Sequence, residues 1–375
     1  MAQHFLASKA FRNLTAYEVA RMSEEEAQQF FQQARWGSLE QQACPDCGVF
    51  QKHKYRRHRK QWQCKACDRE FSVTTNTVFA DHKISLGKLL LGIWLFMGSP
   101  NAISALELSA HLGVQPKTAY VLLGKLKETV LRSMDRSPME GAIEVDGGHF
   151  GGKPRRSNFR KKSDPKAVAD AIKGGQLSGK RKGGRRRISK KNLEKLKNRR
   201  IVMPLRIRSE VPGEGAIRTF TWVGKAESAE YITDVVLRQV KIGSVIVSDE
   251  GIGFSRIADH YDTEVVPHAQ MYCTPEGVNQ NQAESFMSRL RRMEWTFHGF
   301  HSPIYQADYA AYAGRLEDER RKPMKERVYD LLLESLSIGL SVWWRGYWQG
   351  KRRGKEILCD ELPDELHFKR QVASA

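Results

Sequence analysis

Four cysteines in two close pairs limit what the first part of this 375-residue chain can fold into. Cys44 and Cys47 form one C-x-x-C pair, and Cys64 and Cys67 form the second after sixteen intervening residues. Each pair makes a tight turn that presents two sulfurs to one metal ion, so the spacing predicts one tetrahedral Zn²⁺ site. The alternative is two redox pairs or unliganded buried cysteines. It would leave a short polar stretch without the metal cross-link that it needs to fold.

The compartment follows from the same residues. No signal peptide opens the chain, and the longest apolar stretch, residues 89–98, is too short to span a bilayer. Paired cysteines without a secretory signal predict a cytoplasmic protein that holds a metal rather than disulfides and has no membrane partner. A ligand role for His53 or His58 in place of a cysteine is possible but not needed.

Positive charge is concentrated in one segment. Residues 151–200 contain 20 Lys and Arg against three acidic residues, a surplus of 17 in a chain whose net charge is +19. Residues 151–187 have hardly any large apolar side chains, so we expect a solvated, mobile insertion there. Because neutralising phosphates releases counterions, nucleic acid is the expected partner, ahead of an anionic membrane surface.

Residues 84–130 have a helical apolar period. A helix over 102–111, a turn that contains Gly113 and a second helix from about residue 115 follow the rhythm of a helix-turn-helix. The residues that would face a DNA groove are Gln115, Lys117 and Thr118. The alternative is a plain helical hairpin between the cysteine region and the rest of the chain.

Both ends of the chain are also predicted to contain helices. Residues 11–35 have a helical pattern, in which Ser23 and Glu26 form a capping box. Near the other end, a short helix would place four aromatic residues on adjoining faces, either to stack on DNA, to meet a second subunit or to pack in the core. These residues are Trp343, Trp344, Tyr347 and Trp348.

After residue 141 the apolar pattern changes to that of strands, which predicts an α/β fold. The predicted strands lie in residues 142–150, 200–209, 216–225, 244–251 and 263–268. The first three could form an antiparallel meander. A helix over about 228–240 then carries the chain to a strand parallel to the first, and a further helix starts near residue 281.

Acidic residues end two of these strands. Asp146 and Asp249 each follow a very apolar run, and if the two strands are neighbours, both carboxylates project from one edge of the sheet. Such carboxylates repel each other unless a divalent cation neutralises them, and their hard oxygens favour Mg²⁺ or Mn²⁺. Glu284 offers a third acid on a helix whose polar side also carries Asn281, Ser288 and Arg291. Glu144, two residues earlier on the same strand face as Asp146, is a rival or helper ligand.

Taken together, these residues resemble the DDE-type transposases of bacterial insertion sequences that carry an N-terminal zinc ribbon. The likeness covers roughly residues 30–322. It rests on RWGSLEQQACPDCG, WQCKACDREFSVTTNTVF, the VD…GGK of Asp146 to Lys153, SDEG, and NQAESFMSRLRR…TFHGFHSPIYQADYAAYAGRLEDERR. The chain has Gly147 where the family usually has an acid, and Arg291 where it usually has a lysine.

The resemblance implies a ribonuclease-H-like catalytic core, preceded by the zinc ribbon and the helix-turn-helix-like segment. It implies that Asp146, Asp249 and Glu284 bind catalytic Mg²⁺ or Mn²⁺ and that Asn281 and Arg291 assist. The implied partner is double-stranded DNA, both element ends and target, with a homodimer or larger assembly holding two ends. The predicted DNA contacts are Gln115, Lys117, Thr118, Lys153, Arg155, Arg156, Arg185, Arg186, Arg187 and Arg292.

The predicted division has five parts. They are an N-terminal helical segment (1–40), the zinc ribbon (41–80), the helix-turn-helix-like segment (81–135), the catalytic domain (141–322, with the basic insertion at about 151–199) and a C-terminal helical and basic extension (323–375). The predicted function is binding of terminal inverted repeats followed by metal-dependent strand cleavage and transfer. The alternatives are a zinc-ribbon DNA-binding regulator with a degenerate core and a metal-dependent nuclease or resolvase.

Overall fold

The computed structural model describes residues 8–9, 11–152, 190–211, 214–225, 227–249, 254–266 and 279–358. Within them lie ten α-helices and eleven β-strands. The helices are α1 (Ala16–Arg21), α2 (Glu24–Trp36), α3 (Leu86–Gly98), α4 (Ala105–Leu112), α5 (Pro116–Ser133), α6 (Lys190–Lys197), α7 (Ala229–Gln239), α8 (Asn281–Thr296), α9 (Gln306–Asp318) and α10 (Met324–Ser337). The strands are β1 (Gln42–Ala43), β2 (Phe50–Gln51), β3 (Lys54–Arg56), β4 (Gln61–Gln63), β5 (Glu70–Phe71), β6 (Ala142–Val145), β7 (Gly148–Phe150), β8 (Arg200–Arg208), β9 (Ala216–Gly224), β10 (Val245–Asp249) and β11 (Asp262–Val266).

Six strands form a mixed central sheet, which confirms an α/β fold. Its order is β11-β10-β6-β8-β7, and β9 pairs with β8. The pairs β6–β8, β7–β8 and β8–β9 are antiparallel, whereas β10 runs parallel to both β6 and β11. The predicted meander and parallel crossover are therefore correct, with α7 carrying the chain from β9 to β10. The prediction of one continuous first strand is wrong, because Asp146 and Gly147 separate β6 from β7.

The helices that precede the sheet in the sequence pack against the helices that follow it. Helix α9 lies on β9, α5 and α8, and α10 lies on α2, α3 and α5. The rings of Phe96 in α3 and Tyr312 in α9 stack with centroids 3.8 Å apart. One continuous apolar core, from Leu14 to Ile338, joins the helical segment to the sheet. The sheet is thus held by helices from both ends of the described chain.

Local signals explain where several helices begin and end. Ser23 and Glu26 form the predicted capping box at the start of α2. The predicted helix over 102–111 begins later, at α4, because the Ser104 side chain accepts a hydrogen bond from the Glu107 amide and caps it there. Gly113 ends α4 with a φ of 58°, and Pro116 opens α5.

The segment after α10 is not the predicted short helix. Only Tyr347–Gln349 form a 3-10 turn, bounded by Gly346 and Gly350 with φ values of 81° and 83° that no right-handed helix continues. Trp344 is 3% exposed and packs against α5 at Gly124, where an added Cβ would lie 2.1 Å from its ring. This tryptophan is therefore core. Trp348, by contrast, is 50% exposed.

The basic insertion is described only at its two ends. Its predicted DNA contacts Lys153, Arg155, Arg156, Arg185, Arg186 and Arg187 lie outside the described residues. The two ends meet, because an added Cβ on Gly152 would lie 2.5 Å from the Lys195 carbonyl oxygen and 2.7 Å from the Arg199 nitrogen. Along the described ranges, no helix has both the length and the apolar character needed to cross a bilayer.

Candidate metal centres

The four cysteines lie together on two turns of the small β-structure formed by β1 to β5. In each turn the first cysteine closes a backbone ring: the Cys44 amide donates to the Val49 carbonyl, and the Cys64 amide donates to the Arg69 carbonyl. Among the described residues, these cysteines form the one group of three or more His, Cys, Asp or Glu side chains placed to share a metal ion. The four Sγ atoms are Cys44, Cys47, Cys64 and Cys67, all within 4.8 Å of one another. The predicted zinc site is present in its sulfur geometry.

The surroundings leave the histidine alternative without support. The ring of His53 lies with Nε2 3.3 Å from the Val49 carbonyl oxygen, and its Nδ1 accepts from the Lys65 amide. Burial raises the pKa of Cys64, but hydrogen bonds from the backbone amides of Cys67 and Ala66 and from the side chains of Cys47 and Cys67 together lower it to about 7. A thiol of this kind is readily deprotonated, as a zinc ligand must be.

The second candidate centre lies where β6 and β10 end side by side. The parallel register pairs Val247 with Glu144, so two residues further along each strand Asp249 comes opposite Asp146. Neighbouring strands lie about 4.8 Å apart, and partners in a parallel register point to the same face of the sheet. Both aspartates are half-buried. The structure thus brings the two predicted aspartates to one edge of the sheet.

Glu144 fixes helix α8 to that edge. Its side chain is fully buried and accepts hydrogen bonds from the backbone amides of Gln282, at 2.8 Å, and Ala283, at 3.1 Å. Arg208 donates to the same carboxylate at 3.0 Å. A carboxylate at a helix N-terminus satisfies open amides and complements the helix dipole. Glu144 is therefore occupied in holding the helix rather than open as the rival metal ligand that the sequence allowed.

Gln280 ties the start of α8 to both aspartate-bearing strands. Its side-chain amide donates to the carbonyl of Val145 at 3.0 Å and to the carbonyl of Val247 at 3.4 Å. Each of these carbonyls lies within two residues of an aspartate. Arg208 also donates to the Asn279 carbonyl, so three side chains fix the point where the helix begins. The first turn of α8, which carries Glu284, consequently lies at the same edge as Asp146 and Asp249.

Helix α8 is amphipathic in the predicted sense. Its buried face contains Phe286, Leu290 and Met293. Its exposed face contains Asn281, Glu284, Ser288, Arg291 and Arg292. The acids Asp146, Asp249 and Glu284 do not form a cluster as compact as that of the cysteines. Three carboxylates repel one another when no cation lies between them.

One further residue near Asp146, Glu227, was missed by sequence reasoning. The Glu227 carboxylate lies 3.0 Å from where a Cβ on Gly147 would be, and it pairs with the ring Nε2 of His149 at 3.2 Å. A carboxylate is thus present beside the position where the resembling family has an acid. No sequence signal pointed to Glu227, because it follows β9 and meets Gly147 only through the pairing of β7, β8 and β9.

The predicted DNA-reading residues at the start of α5 are accessible in part. Gln115 and Lys117 are exposed and Thr118 is half-buried. The Lys117 ammonium lies 4.6 Å from the ring centroid of Trp348, so the last described segment covers one side of this helix start. Thr118 borders a cavity of about 1040 Å³ between α5 and that segment, whose wall also contains Lys125.

Comparison with known proteins covers both candidate centres. Residues 22–70 match the transposase zinc-ribbon domain, and residues 138–313 match the ISXO2-like transposase domain. An uncharacterized protein in transposable element ISH50 of Halobacterium salinarum is 30% identical over 129 residues, which are 33% of this chain and 41% of that relative. The chain thus covers about two fifths of the length of this relative. With the cysteine cluster inside one match and all three acids inside the other, the chain combines a region similar to the transposase zinc ribbon with a region similar to the ISXO2-like transposase domain.

Proposed function

We propose that this protein is a DNA transposase, which binds the terminal inverted repeats of an insertion sequence and catalyses metal-dependent strand cleavage and strand transfer. The two transposase-domain matches support the reaction class. The observation that carries the proposal is the sheet edge, where Asp146 and Asp249 end neighbouring parallel strands and Glu284 stands in the first turn of the helix anchored between them.

We assign the central sheet and α8 to a ribonuclease-H-like catalytic domain over residues 141–322. An antiparallel meander, a helical crossover and a parallel strand beside the first are consistent with that fold. The other parts are the N-terminal segment, the zinc ribbon, a helix-turn-helix-like unit of α4 and α5, and the C-terminal extension, with the boundaries predicted above. In this division the ribbon and α5 recognise DNA, and the sheet edge performs the chemistry.

The donor set at the edge fits a hard divalent cation, because all three side chains offer carboxylate oxygens. Bound Mg²⁺ or Mn²⁺ would activate the attacking hydroxyl and stabilise the leaving oxygen of the phosphodiester. Asp146, Asp249 and Glu284 would hold the cation. Asn281, in the first turn of α8, would assist the three acids. Arg291 would bind a phosphate of the cut strand.

The partner in this proposal is double-stranded DNA, both as element ends and as target. The surplus of 17 positive charges in residues 151–200 supplies affinity for phosphates on either side of the cut. Two ends must be held for one strand transfer, so the active form is a homodimer or a larger assembly. Its place of action is the nucleoid, in the cytoplasm.

Changing either aspartate to alanine tests this proposal. Asp146→Ala and Asp249→Ala should each lower Mg²⁺-dependent cleavage of end DNA by about 100-fold or more, because several kcal/mol of transition-state stabilisation are lost. Binding of the same DNA should stay within about two-fold, since a phosphate-binding surface elsewhere supplies the affinity. The assay combines gel-shift binding with cleavage of a labelled end.

Asp262→Ala is the matched control, because this exposed aspartate begins β11 at the opposite edge of the same sheet. It should leave cleavage unchanged. Cleavage retained by Asp146→Ala would overturn the assignment of the acids. A wild-type protein that binds end DNA without cutting it would favour the regulator, and equal cutting of DNA without element ends would favour a nuclease.

A further inference from the structure

On helix α8, a stripe of exposed side chains runs from Glu284, the candidate catalytic acid, to Trp295. Trp295 is 79% exposed, more than any other large apolar side chain in the part of the chain that the structure describes. Single exposed apolar residues are common on proteins. The place of this one on the helix gives it significance.

The stripe is a consequence of helix geometry. Trp295 follows Glu284 by eleven residues, which is three turns and about 20°, so both side chains leave the helix on the same side. Ser288 and Arg291 lie between them within about 40° of the same line, and Arg292 lies beside it. The distance along the axis from Glu284 to Trp295 is about 16 Å.

The far end of α8 is fixed as firmly as its start. Met293, on the side opposite the stripe, and Glu294, at about a right angle to it, are buried, and the Glu294 carboxylate accepts from the Gly151 amide at 3.0 Å. After the helix, the His298 amide donates to the Trp295 carbonyl. The indole is therefore mounted on rigid backbone, although its ring contacts no other described aromatic ring.

The charge of the stripe selects its partner. Between the acid and the indole the exposed side chains are neutral Ser288 and the cations Arg291 and Arg292, and neither guanidinium forms a salt bridge with a described carboxylate. A polyanion with flat rings satisfies both features, because arginines bind phosphates and an indole stacks on a nucleobase. An apolar protein partner would leave the arginines unpaired.

We propose that Trp295 stacks on a base of the element end that has left the duplex stack beside the cut, while Arg291 and Arg292 bind the intervening phosphates. This inference rests on the proposed function. Where the DNA axis runs along α8, a rise of about 3.4 Å per nucleotide sets the stacked base about five nucleotides from the phosphate at Glu284. Trp295 is a positioning residue, since it holds the strand without touching the reacting atoms.

The test uses the full chain carrying Asp146→Ala, so that the DNA stays uncut and the stacking readout does not depend on catalysis. 2-Aminopurine is placed in turn at each of the first eight positions on either side of the cut. Fluorescence should change on binding at one or two positions centred about five nucleotides away. Trp295→Ala should abolish that change and weaken binding by about 5- to 100-fold, as expected when one base–aromatic stack is lost.

Trp295→Phe should restore most of the signal, because a phenyl ring also stacks. Tyr17→Ala is the matched control, since Tyr17 is an aromatic side chain 68% exposed on α1. Unchanged fluorescence and affinity in Trp295→Ala would overturn the proposal. A change in oligomer mass with unaltered fluorescence would also overturn it and assign the stripe to a subunit interface. If no variant binds end DNA, the proposed function itself fails.

Discussion

The zinc ribbon and the sheet edge are two sites of opposite construction. The ribbon takes four ligands from 24 consecutive residues, Cys44 to Cys67, and its sulfurs already lie within 4.8 Å of one another. The edge takes its acids from positions as far apart as Asp146 and Glu284, and they remain a looser group. A site built from one local stretch owes its geometry to its own turns, whereas an assembled site owes its geometry to the contacts that join distant elements.

At the edge, those contacts come from side chains that are not themselves metal ligands. Glu144 holds the first turn of α8, and Gln280 bridges the ends of β6 and β10. Both side chains are at most 2% exposed. The two regions therefore fail differently: the ribbon depends on its ligands, and the edge depends on its supports.

Removing the ribbon's metal should have the largest effect. Cys64→Ser, or a strong chelator, should unfold residues 41–71, because binding of a structural zinc contributes on the order of 10 kcal/mol to folding. Metal analysis should find one zinc per wild-type chain, and hydrogen exchange should show lost protection in β3 to β5. Protection in β6 and β10 should persist. If the ribbon keeps its protection without metal, its fold does not depend on zinc, and the contrast with the sheet edge is wrong.

Removing a support of the edge should come next. Glu144→Ala leaves two helix amides and Arg208 without their shared carboxylate, so we expect a loss of about 3 kcal/mol in the free energy of unfolding. Chemical denaturation measures that loss, and hydrogen exchange should locate it in the first turn of α8. Cleavage should fall although Asp146, Asp249 and Glu284 are all unchanged.

Glu140→Ala is the matched control for this change. Glu140 lies two residues before β6 and pairs on the surface with Lys241 at 2.7 Å, with 71% of its side chain exposed. Its removal should leave the free energy of unfolding almost unchanged, because exposed ion pairs contribute little. Equal losses in the two variants would contradict the role given to the buried carboxylate.

The smallest effect concerns the glycine beside the first aspartate. Gly147→Asp, which introduces an acid as in the resembling family, places a second carboxylate against Glu227, and the repulsion should cost about 1 kcal/mol. Gly147→Asn, similar in size without the charge, should cost less. A double-mutant cycle with Glu227→Gln should recover the difference. No coupling between the two positions would show that Glu227 turns away from residue 147 in solution.

Sequence patterns predicted those features that arise within a few residues. The cysteine spacing, the capping box of Ser23 and the alternation of strands and helices after residue 141 correspond to local geometry, and the structure confirms them except that the first predicted strand is divided at Asp146. The amphipathic face of α8 was predicted for the same reason. Periodicity reports which side of an element is apolar, and so it located the exposed row that begins at Glu284.

Features that depend on distant partners were not accessible in this way. Glu144 looked like a metal ligand, because alternation along β6 gives its face but not the helix amides that it meets. The aromatic tail looked helical, because nothing local revealed that Trp344 inserts against Gly124. Glu227 carried no signal at all. In each case the deciding contact joins residues at least 60 positions apart.

The meeting of Gly152 with residues 195–199 has a consequence for how this chain can vary. Because the intervening segment leaves and rejoins the sheet at one point, the entropic cost of closing it rises only about 0.6 kcal/mol for each doubling of its length. The pairing of the strands does not depend on how many residues lie between the two ends. In the proposed function, affinity for phosphate would therefore be gained or lost there by insertion and deletion, independently of the chemistry assigned to Asp146.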